Sequence, residues 1–89
     1  MRVLVDMPTY MDVHTIGGGV SASDVAGAHQ EDLKTQAQYG VDYKRYWVDE
    51  KAGKIFCLVD APDAETAARV HREAHSLVAD EIYEVSEGD

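Results

Sequence analysis

The sequence contains very little cysteine. Cys57 is the only one among 89 residues, so no disulfide can form within the chain. A small domain without disulfides is typical of a reducing compartment. The sequence also lacks an apolar run long enough for a signal peptide, and none approaches the length of a membrane span. We therefore expect a cytoplasmic protein with no membrane partner.

Lysine and arginine are scarce as well. Eight basic residues stand against 17 acidic ones, which leaves a formal net charge of −9 at pH 7. A surface this acidic repels phosphate backbones, and the sequence lacks the basic stripe of a nucleic-acid-binding protein. The same field attracts cations, including divalent metals, although many proteins are acidic only for solubility. We expect no nucleic-acid partner.

The hydrophobic pattern alternates between strand and helix periods. Two stretches with helical spacing each begin at a capping residue, Ser21 or Asp63, and β-type runs flank them. The predicted elements are a strand from Val3 to about His14 interrupted at Pro8 (with residues 1–7 a candidate separate strand), a helix over 22–39, strands over 41–49 and 54–61, a helix from Asp63 to about Leu77, and a strand over 81–85. This order predicts one ferredoxin-like βαββαβ domain over residues 1–89. It is an α+β sandwich whose antiparallel sheet carries both helices on one face.

The other face of that sheet needs a cover. The predicted strand over 41–49 carries aromatic side chains on both of its faces, Tyr43 and Trp47 on one and Tyr46 on the other. A monomer that exposed so much apolar surface would be unusual. We predict a homodimer joined through the open sheet face or through a strand edge.

Three of the four histidines fall on the inward faces of the predicted helices. His71 and His75 stand four residues apart, so both lie on one helix face and both can reach one ion. His29 falls near the middle of the apolar stripe of the first helix. That stripe consists of Val25, Ala26, Leu33 and Ala37. An inward histidine is often a half-buried core residue, but desolvation also favours the neutral imidazole that binds metals. Spacing alone leaves both interpretations open.

The pair His71 and His75 does not form a metalloprotease motif. Zincins have Glu directly after the first His, and the inverted motif has Glu directly before the last. Here Glu73 stands between the two, about 200° around the helix from His71, and faces away. Metal-dependent proteolysis is therefore disfavoured.

The remaining candidate ligands lie in or beside the predicted strands. Cys57 stands in the most apolar run, where a free cysteine is usually a small buried hydrophobe, although a histidine can approach it in space. Asp12 closely precedes His14, and Asp80 and Glu81 follow the second helix, so these carboxylates can supply oxygen ligands. Imidazole suits nickel, copper and zinc. The candidate metal ligands, in order, are His71, His75, His29, His14 and Cys57.

Three segments together resemble a known family. They are AHQEDL from residue 28, RYWVDE with FCLV from residue 45, and VHREAH with ADEI from residue 70. They resemble a family of small bacterial proteins, common in actinobacteria, that is named after a nickel-binding member and was long a domain of unknown function. The resemblance covers residues 10–85. It implies a ferredoxin-like fold, a homodimer, Ni²⁺ bound at the dimer surface, and sequestration or detoxification of nickel rather than catalysis.

Two other functions stay open at this point. The cleft between the helices and the sheet can hold a small organic substrate or ligand beside the inward histidines, and histidines near tyrosine and cysteine suit acid–base chemistry. The residues of such a site are His29, His71, His75, Cys57 and either Tyr43 or Tyr46. Alternatively, the aromatic sheet face binds another partner, as in a sensor or interaction module. A closed pocket that contains His29 and Cys57 would favour the small-molecule function. We expect metal binding rather than catalysis.

Overall fold

Four strands and two helices follow one another in the predicted order. The structure is a computed structural model, and it describes residues 7–88. The elements are β1 (Thr9–Thr15), α1 (Ala22–Thr35), β2 (Asp42–Asp49), β3 (Lys54–Asp60), α2 (Ala64–His75) and β4 (Glu81–Val85). The prediction of a ferredoxin-like α+β fold is confirmed. The candidate strand over residues 1–7 lies, except for Met7, outside the described residues, and the assignment of residues 1–89 to one domain stays a prediction.

The sheet brings three candidate ligands to one side of the molecule. Its strands are antiparallel and lie in the order β2-β3-β1-β4. Asp12 of β1 stands directly opposite Cys57 of β3. Because side chains alternate between the faces of a strand, His14 shares the face of Asp12. All three side chains are buried, since this is the face that the helices cover.

The hydrophobic core fills the layer between this sheet face and the helices. Its buried members are Tyr10, Val25, Val41, Tyr43, Ile55, Cys57, Val59, Ala61, Ala67 and Val70. Polar side chains share the layer, because Asp12, His14, Asp32 and His71 are also buried. A carboxylate or imidazole in an apolar layer is costly unless it is paired or hydrogen-bonded, so the stability of this layer depends on the partners of these four residues.

Both helices begin at the residues that the sequence identifies as caps. The side chain of Ser21 accepts a hydrogen bond from the backbone N–H of Asp24. The side chain of Asp63 accepts one from the backbone N–H of Thr66. Each cap satisfies an amide that has no partner inside the helix, which is why the helices start where the sequence predicts.

The helix ends differ from the prediction. The predicted helix over 22–39 is α-helical to Thr35 and continues as a 3₁₀ turn over Gln36–Tyr39. α2 ends at His75, two residues before the predicted end, because Ser76 takes up the left-handed region with φ at 69°. His75 is thus the last helical residue, and Leu77 lies beyond the helix.

The inward face of α1 is not the predicted apolar stripe. Leu33 is 38% exposed, whereas the neighbouring Asp32 is only 2% exposed. A residue seven positions after Val25 lies about 20° from it around the helix axis, while one eight positions after lies about 80° away. Asp32 therefore joins Val25 and His29 on the side that faces the core, and the stripe through Leu33 is corrected.

The opposite face of the sheet has an apolar centre, and no helix within residues 7–88 covers it. The cross-strand neighbours Trp47 and Phe56 lie on it, as do Leu58, Met11 and Tyr83 from adjacent strands. Trp47 is 48% exposed and Tyr83 is 51% exposed. Within residues 7–88, neither helix combines the length and apolar character needed to cross a bilayer.

Candidate metal centre

His71 lies at the centre of the buried polar cluster. It comes from the inward face of α2, and its Nδ1 is 2.8 Å from Oδ1 of Asp32. Its Nε2 is 2.9 Å from Oδ2 of Asp12. Because a carboxylate faces each nitrogen, both nitrogens donate when the ring is an imidazolium. Burial by itself would lower the pKa of His71, but the hydrogen bonds and charges of the two carboxylates raise it to about 9.

Asp12 is the second hub of the cluster. Its Oδ2 also lies 3.1 Å from the hydroxyl of Tyr43, which has the carbonyl oxygen of Ala67 at 2.9 Å as an alternative acceptor. Burial would raise the pKa of Asp12, but the nearby imidazoles of His14 and His71 outweigh it and hold this pKa well below its usual range. Asp12 is therefore an ionised carboxylate in the interior.

One oxygen of Asp12 is not satisfied. Nε2 of His14 lies 3.2 Å from Oδ1, yet within the described part of the chain Oδ1 has no partner with hydrogen-bond geometry. An unpartnered carboxylate oxygen in the interior is costly, and a bound cation is one way to satisfy it. A cation bound at Oδ1 would supply the partner that this oxygen lacks.

Four buried residues offer donor atoms around that oxygen. Asp12, His14, Cys57 and His71 each supply one atom, and all four atoms lie within 4.8 Å of one another. Two come from alternate positions of β1, one from the facing position of β3 and one from α2. We call these four residues the buried donor group. Imidazole, thiolate and carboxylate together are a donor set that suits nickel, zinc or copper, so the residues present fit a transition-metal ion.

Cys57 is held as a thiol in the absence of a metal. Burial raises its pKa far above the ordinary range, and the nearby negative charge of Asp12 raises it further. A protonated thiol is a poor nucleophile, so this environment disfavours covalent catalysis by Cys57. A metal ion reverses the preference, since it deprotonates a thiol that coordinates it.

A second set of donors shares His71. Oδ1 of Asp32 lies 3.0 Å from Nε2 of His75 as well as near Nδ1 of His71, and these three residues are close enough to hold an ion. Burial would raise the pKa of Asp32, but its bonds to the two histidines lower it. The histidines at i and i+4 thus lie on one face as predicted, with a carboxylate between them.

A cavity of about 200 Å³ lies beside both sets of donors. All five predicted ligands line it: His14, His29, Cys57, His71 and His75. His29 belongs to neither set of donors, and its ring packs against that of Tyr46 with the centroids 4.8 Å apart. The cavity brings His29 and Cys57 together, but it is not the closed pocket that would favour the small-molecule function, since the exposed residues Asp24 and Leu77 also line it.

Two carboxylates of the site are absent from the ranked list of ligands predicted from the sequence. Asp12 is predicted only as a possible oxygen ligand, and Asp32 is missed. The signal for Asp32 is its spacing of seven residues from Val25, which places it on the inward face. Asp80, by contrast, accepts a hydrogen bond from the backbone N–H of Thr15 and takes no part in either set of donors.

The fold and the site define a class before any comparison is made. This is a small ferredoxin-like protein whose core contains carboxylate, imidazole and thiol donors of the kind that bind transition metals. A family model described as nickel responsive protein SCO4226-like matches residues 10–85. The chain belongs to this SCO4226-like family, which confirms the resemblance drawn from its sequence.

A solved structure of a family member supports the same assignment. The crystal structure of SCO4226 from Streptomyces coelicolor A3(2) is 37% identical, and the match covers 91% of this chain and 99% of that chain with a TM-score of 0.84. Among curated proteins, none matches the chain significantly. The fold and the family are thus established together.

Proposed function

We propose that this protein binds a divalent transition metal, with nickel as its ion, through the buried donor group of Asp12, His14, Cys57 and His71. One observation carries the proposal: four buried donor atoms converge within 4.8 Å, and one of them, Oδ1 of Asp12, lacks a hydrogen-bond partner among the described residues. The choice of nickel rests on the family, whose description is nickel responsive, because donor chemistry alone also suits zinc and copper.

In the second set of donors, Asp32 and His75 orient His71 and do not bind the ion themselves. When Nε2 of His71 binds the ion, Nδ1 keeps its hydrogen and donates to Asp32, which His75 also contacts. A carboxylate behind a ligating histidine sets the ring orientation and makes the imidazole more basic. Asp32 and His75 are therefore positioning residues for His71.

The ligand set favours holding a metal over using one. All four ligands are protein side chains, and sites with four protein ligands are structural or storage sites, whereas catalytic sites keep a position for water or substrate. We infer sequestration of nickel as the role, in a cytoplasm that keeps the lone Cys57 reduced. With a net charge of −9, no nucleic-acid partner is part of the proposal.

We also propose that the protein is a homodimer joined through the open sheet face. The half-exposed Trp47 and Tyr83 lie on that face together with Phe56 and Leu58, and pairing with a second copy would bury them. The buried donor group lies on the other side of the sheet. Each protomer accordingly contains a full set of ligands, and the ion lies inside the protomer rather than at the dimer surface that the resemblance implies.

Calorimetric titration of the metal-free protein with Ni²⁺ tests the ligand assignment. We expect His14→Gln and Cys57→Ala each to weaken binding at least about tenfold, a loss of about 1.4 kcal/mol or more. His75→Gln removes only a positioning residue, so its effect should lie near the lower end of the roughly 10- to 100-fold range for such partners. His71 itself is a poor test, because its loss leaves two buried carboxylates unpaired.

His29→Gln is the matched control for this titration. It changes a histidine on the wall of the same cavity that belongs to neither set of donors, and its affinity should equal that of the wild type. Affinity lost in His75→Gln but retained in both His14→Gln and Cys57→Ala would move the ion to Asp32 and contradict the assignment. Absence of Ni²⁺ binding by the wild type would overturn the function.

A further inference from the structure

The cavity beside the donors extends beyond the proposed metal ligands. It lies between α1, the C-terminal end of α2 and the helix-side face of the sheet, with a volume of about 200 Å³. Two of its lining residues, Asp24 and Leu77, are exposed, so the cavity reaches the surface of the protein. The proposed ligands occupy only one part of its wall, and the rest is open to a molecule from solution.

The volume of the cavity sets the size of its occupant. An engineered protein cavity of about 150 Å³ with apolar walls takes up a benzene molecule. A cavity of about 200 Å³ therefore has room for a six-membered ring and a few further atoms. Two fused rings with substituents would extend beyond this volume, which therefore favours a single ring.

The wall of the cavity is apolar over most of its extent. Its aliphatic members are Ile16, Val20, Val25, Ala28, Ile55 and Leu77. The aromatic ring of Tyr46 adds a flat surface, since it packs against His29. Aliphatic side chains with a few aromatic ones are the usual lining of small-molecule sites, and an aromatic ring is a good match for such walls.

A few polar groups in the wall define the rest of the ligand. The ring nitrogens of His29 make no hydrogen bond with any residue in the described range, and His75 also lines the cavity. The imidazole of His29 can exchange one hydrogen bond with a hydroxyl group, whereas both nitrogens of His75 already contact other groups, Asp32 and the backbone N–H of Leu77. The lining contains carboxylates of Asp24 and Asp32 but neither lysine nor arginine, so an anionic ligand would meet only like charge apart from the histidines.

We propose that this cavity is a binding site for an uncharged, single-ring aromatic molecule that carries one hydrogen-bonding group, the chemical class of phenol. The ring packs against the aliphatic wall and Tyr46, and the hydroxyl hydrogen-bonds His29. This site does not need the metal ion, so a protein that failed to bind Ni²⁺ would leave the proposal standing.

Methyl NMR of the metal-free full-length chain tests the site directly. Addition of phenol should shift the methyl signals of Ile16, Val20 and Ile55 in a saturable manner. The methyls of Val59 and Val70, which are buried in the core but do not line the cavity, should remain unchanged. Benzoate has the same ring with a negative charge, and at equal concentration it should leave all of these signals in place.

Matched variants on α1 separate this cavity from the surface. Ala28→Phe fills the cavity and should weaken phenol binding at least tenfold, while Ala22→Phe adds the same ring at an exposed position and should not. His29→Leu should weaken phenol binding by a smaller factor and leave benzene binding intact. Methyl shifts that are linear in phenol concentration, or that spread over surface methyls, would overturn the proposal. Benzoate that binds as tightly as phenol would also overturn it. The wild-type shifts and the benzoate comparison decide the matter even if Ala28→Phe fails to fold.

Discussion

His71 joins the two buried carboxylates of the described residues. It contacts Asp12 through one nitrogen and Asp32 through the other, and its ring packs against those of His14 and Tyr43. Without a metal, the imidazolium neutralises part of the charge of the two carboxylates. With a metal bound at Nε2, the ion takes over that role, and the proton at Nε2 must leave.

Proton release is the first consequence of this exchange. Because His71 and Cys57 both carry a proton at pH 7.5 and both lose one on coordination, Ni²⁺ binding should release about two protons from these residues. Cys57→Ala should release one proton fewer than the wild type. Calorimetry in buffers of different ionisation enthalpy counts the protons. An equal count for both proteins would show that the thiol does not bind the metal.

The pH dependence of stability follows from the same residue. The pKa of His71 rises from its ordinary 6.5 to about 9 on folding, so its stabilisation is complete below pH 6.5 and is lost as pH rises toward 9. The shift corresponds to about 3 kcal/mol. Asp12 and Asp32 have lowered pKa values, and their contribution is lost in acid, as pH falls below the ordinary 3.8.

Urea unfolding of the metal-free protein at pH 6 and pH 9 measures this effect. We expect the free energy of unfolding to fall by about 3 kcal/mol between the two values. His29→Gln should show the same fall, since His29 is outside the network. A free energy of unfolding that stayed constant or rose over this interval would contradict the charged state of His71.

The C-terminal end of α2 determines where His75 lies. Ser76 stops the helix in the left-handed region, and its N–H donates to the carbonyl oxygens of His71 and Arg72. Side chains other than glycine are strained there, since φ is 69°. Helix α2 thus ends earlier than the periodicity predicts, and His75 is its last residue. Leu77 lies beyond the helix, where it lines the cavity.

Substitution at this helix end gives a stability prediction. Ser76→Gly should raise the free energy of unfolding by about 0.5–1 kcal/mol, because glycine enters the left-handed region without strain. Gly40→Ala is the converse control at the end of the 3₁₀ turn, where φ is 65° and a Cβ would meet open space, and it should lower stability by a similar amount. Thermal or urea unfolding reports both. A lower free energy of unfolding in Ser76→Gly would show that the backbone of Ser76 is not strained.

The whole molecule has two unequal sides. The helices cover one face of the sheet and enclose the donors, while the other face presents Trp47 and Tyr83. Pairing with a second copy would remove the exposed apolar surface of this sheet face from water, which favours a dimer. The proposed metal site and the proposed dimer interface lie on opposite sides of the sheet, so removal of one should leave the other intact.

Light scattering after size exclusion tests this arrangement. The wild type should have twice the mass of one chain, and Trp47→Asp should shift it to the monomer while Ni²⁺ affinity changes little. Leu33→Asp is the matched control, because Leu33 is an exposed apolar residue on α1, away from the sheet face. A dimer that persists in Trp47→Asp would place the interface elsewhere.

Much of the fold follows from local pattern. The helix caps at Ser21 and Asp63 were predictable because a cap depends on residues within one turn. The same holds for β4, whose predicted and observed bounds are identical. The helix ends were less predictable, since Ser76 adopts a conformation that serine rarely takes. The site was predictable in part: the inward positions of His71 and His75 follow from helical spacing, whereas the inward position of Asp32 was hidden beside the more apolar Leu33.

The element order, the family and the presence of inward histidines follow from sequence alone, because periodicity, caps and family segments are local properties of the chain. Which donors meet depends on the tertiary packing. The pairs His71–Asp32 and His71–Asp12 are separated by 39 and 59 residues, and their contacts depend on how α2 packs across α1 and the sheet. The strand register then placed Cys57 opposite Asp12, and the packed layers left one carboxylate oxygen without a hydrogen-bond partner within the described chain.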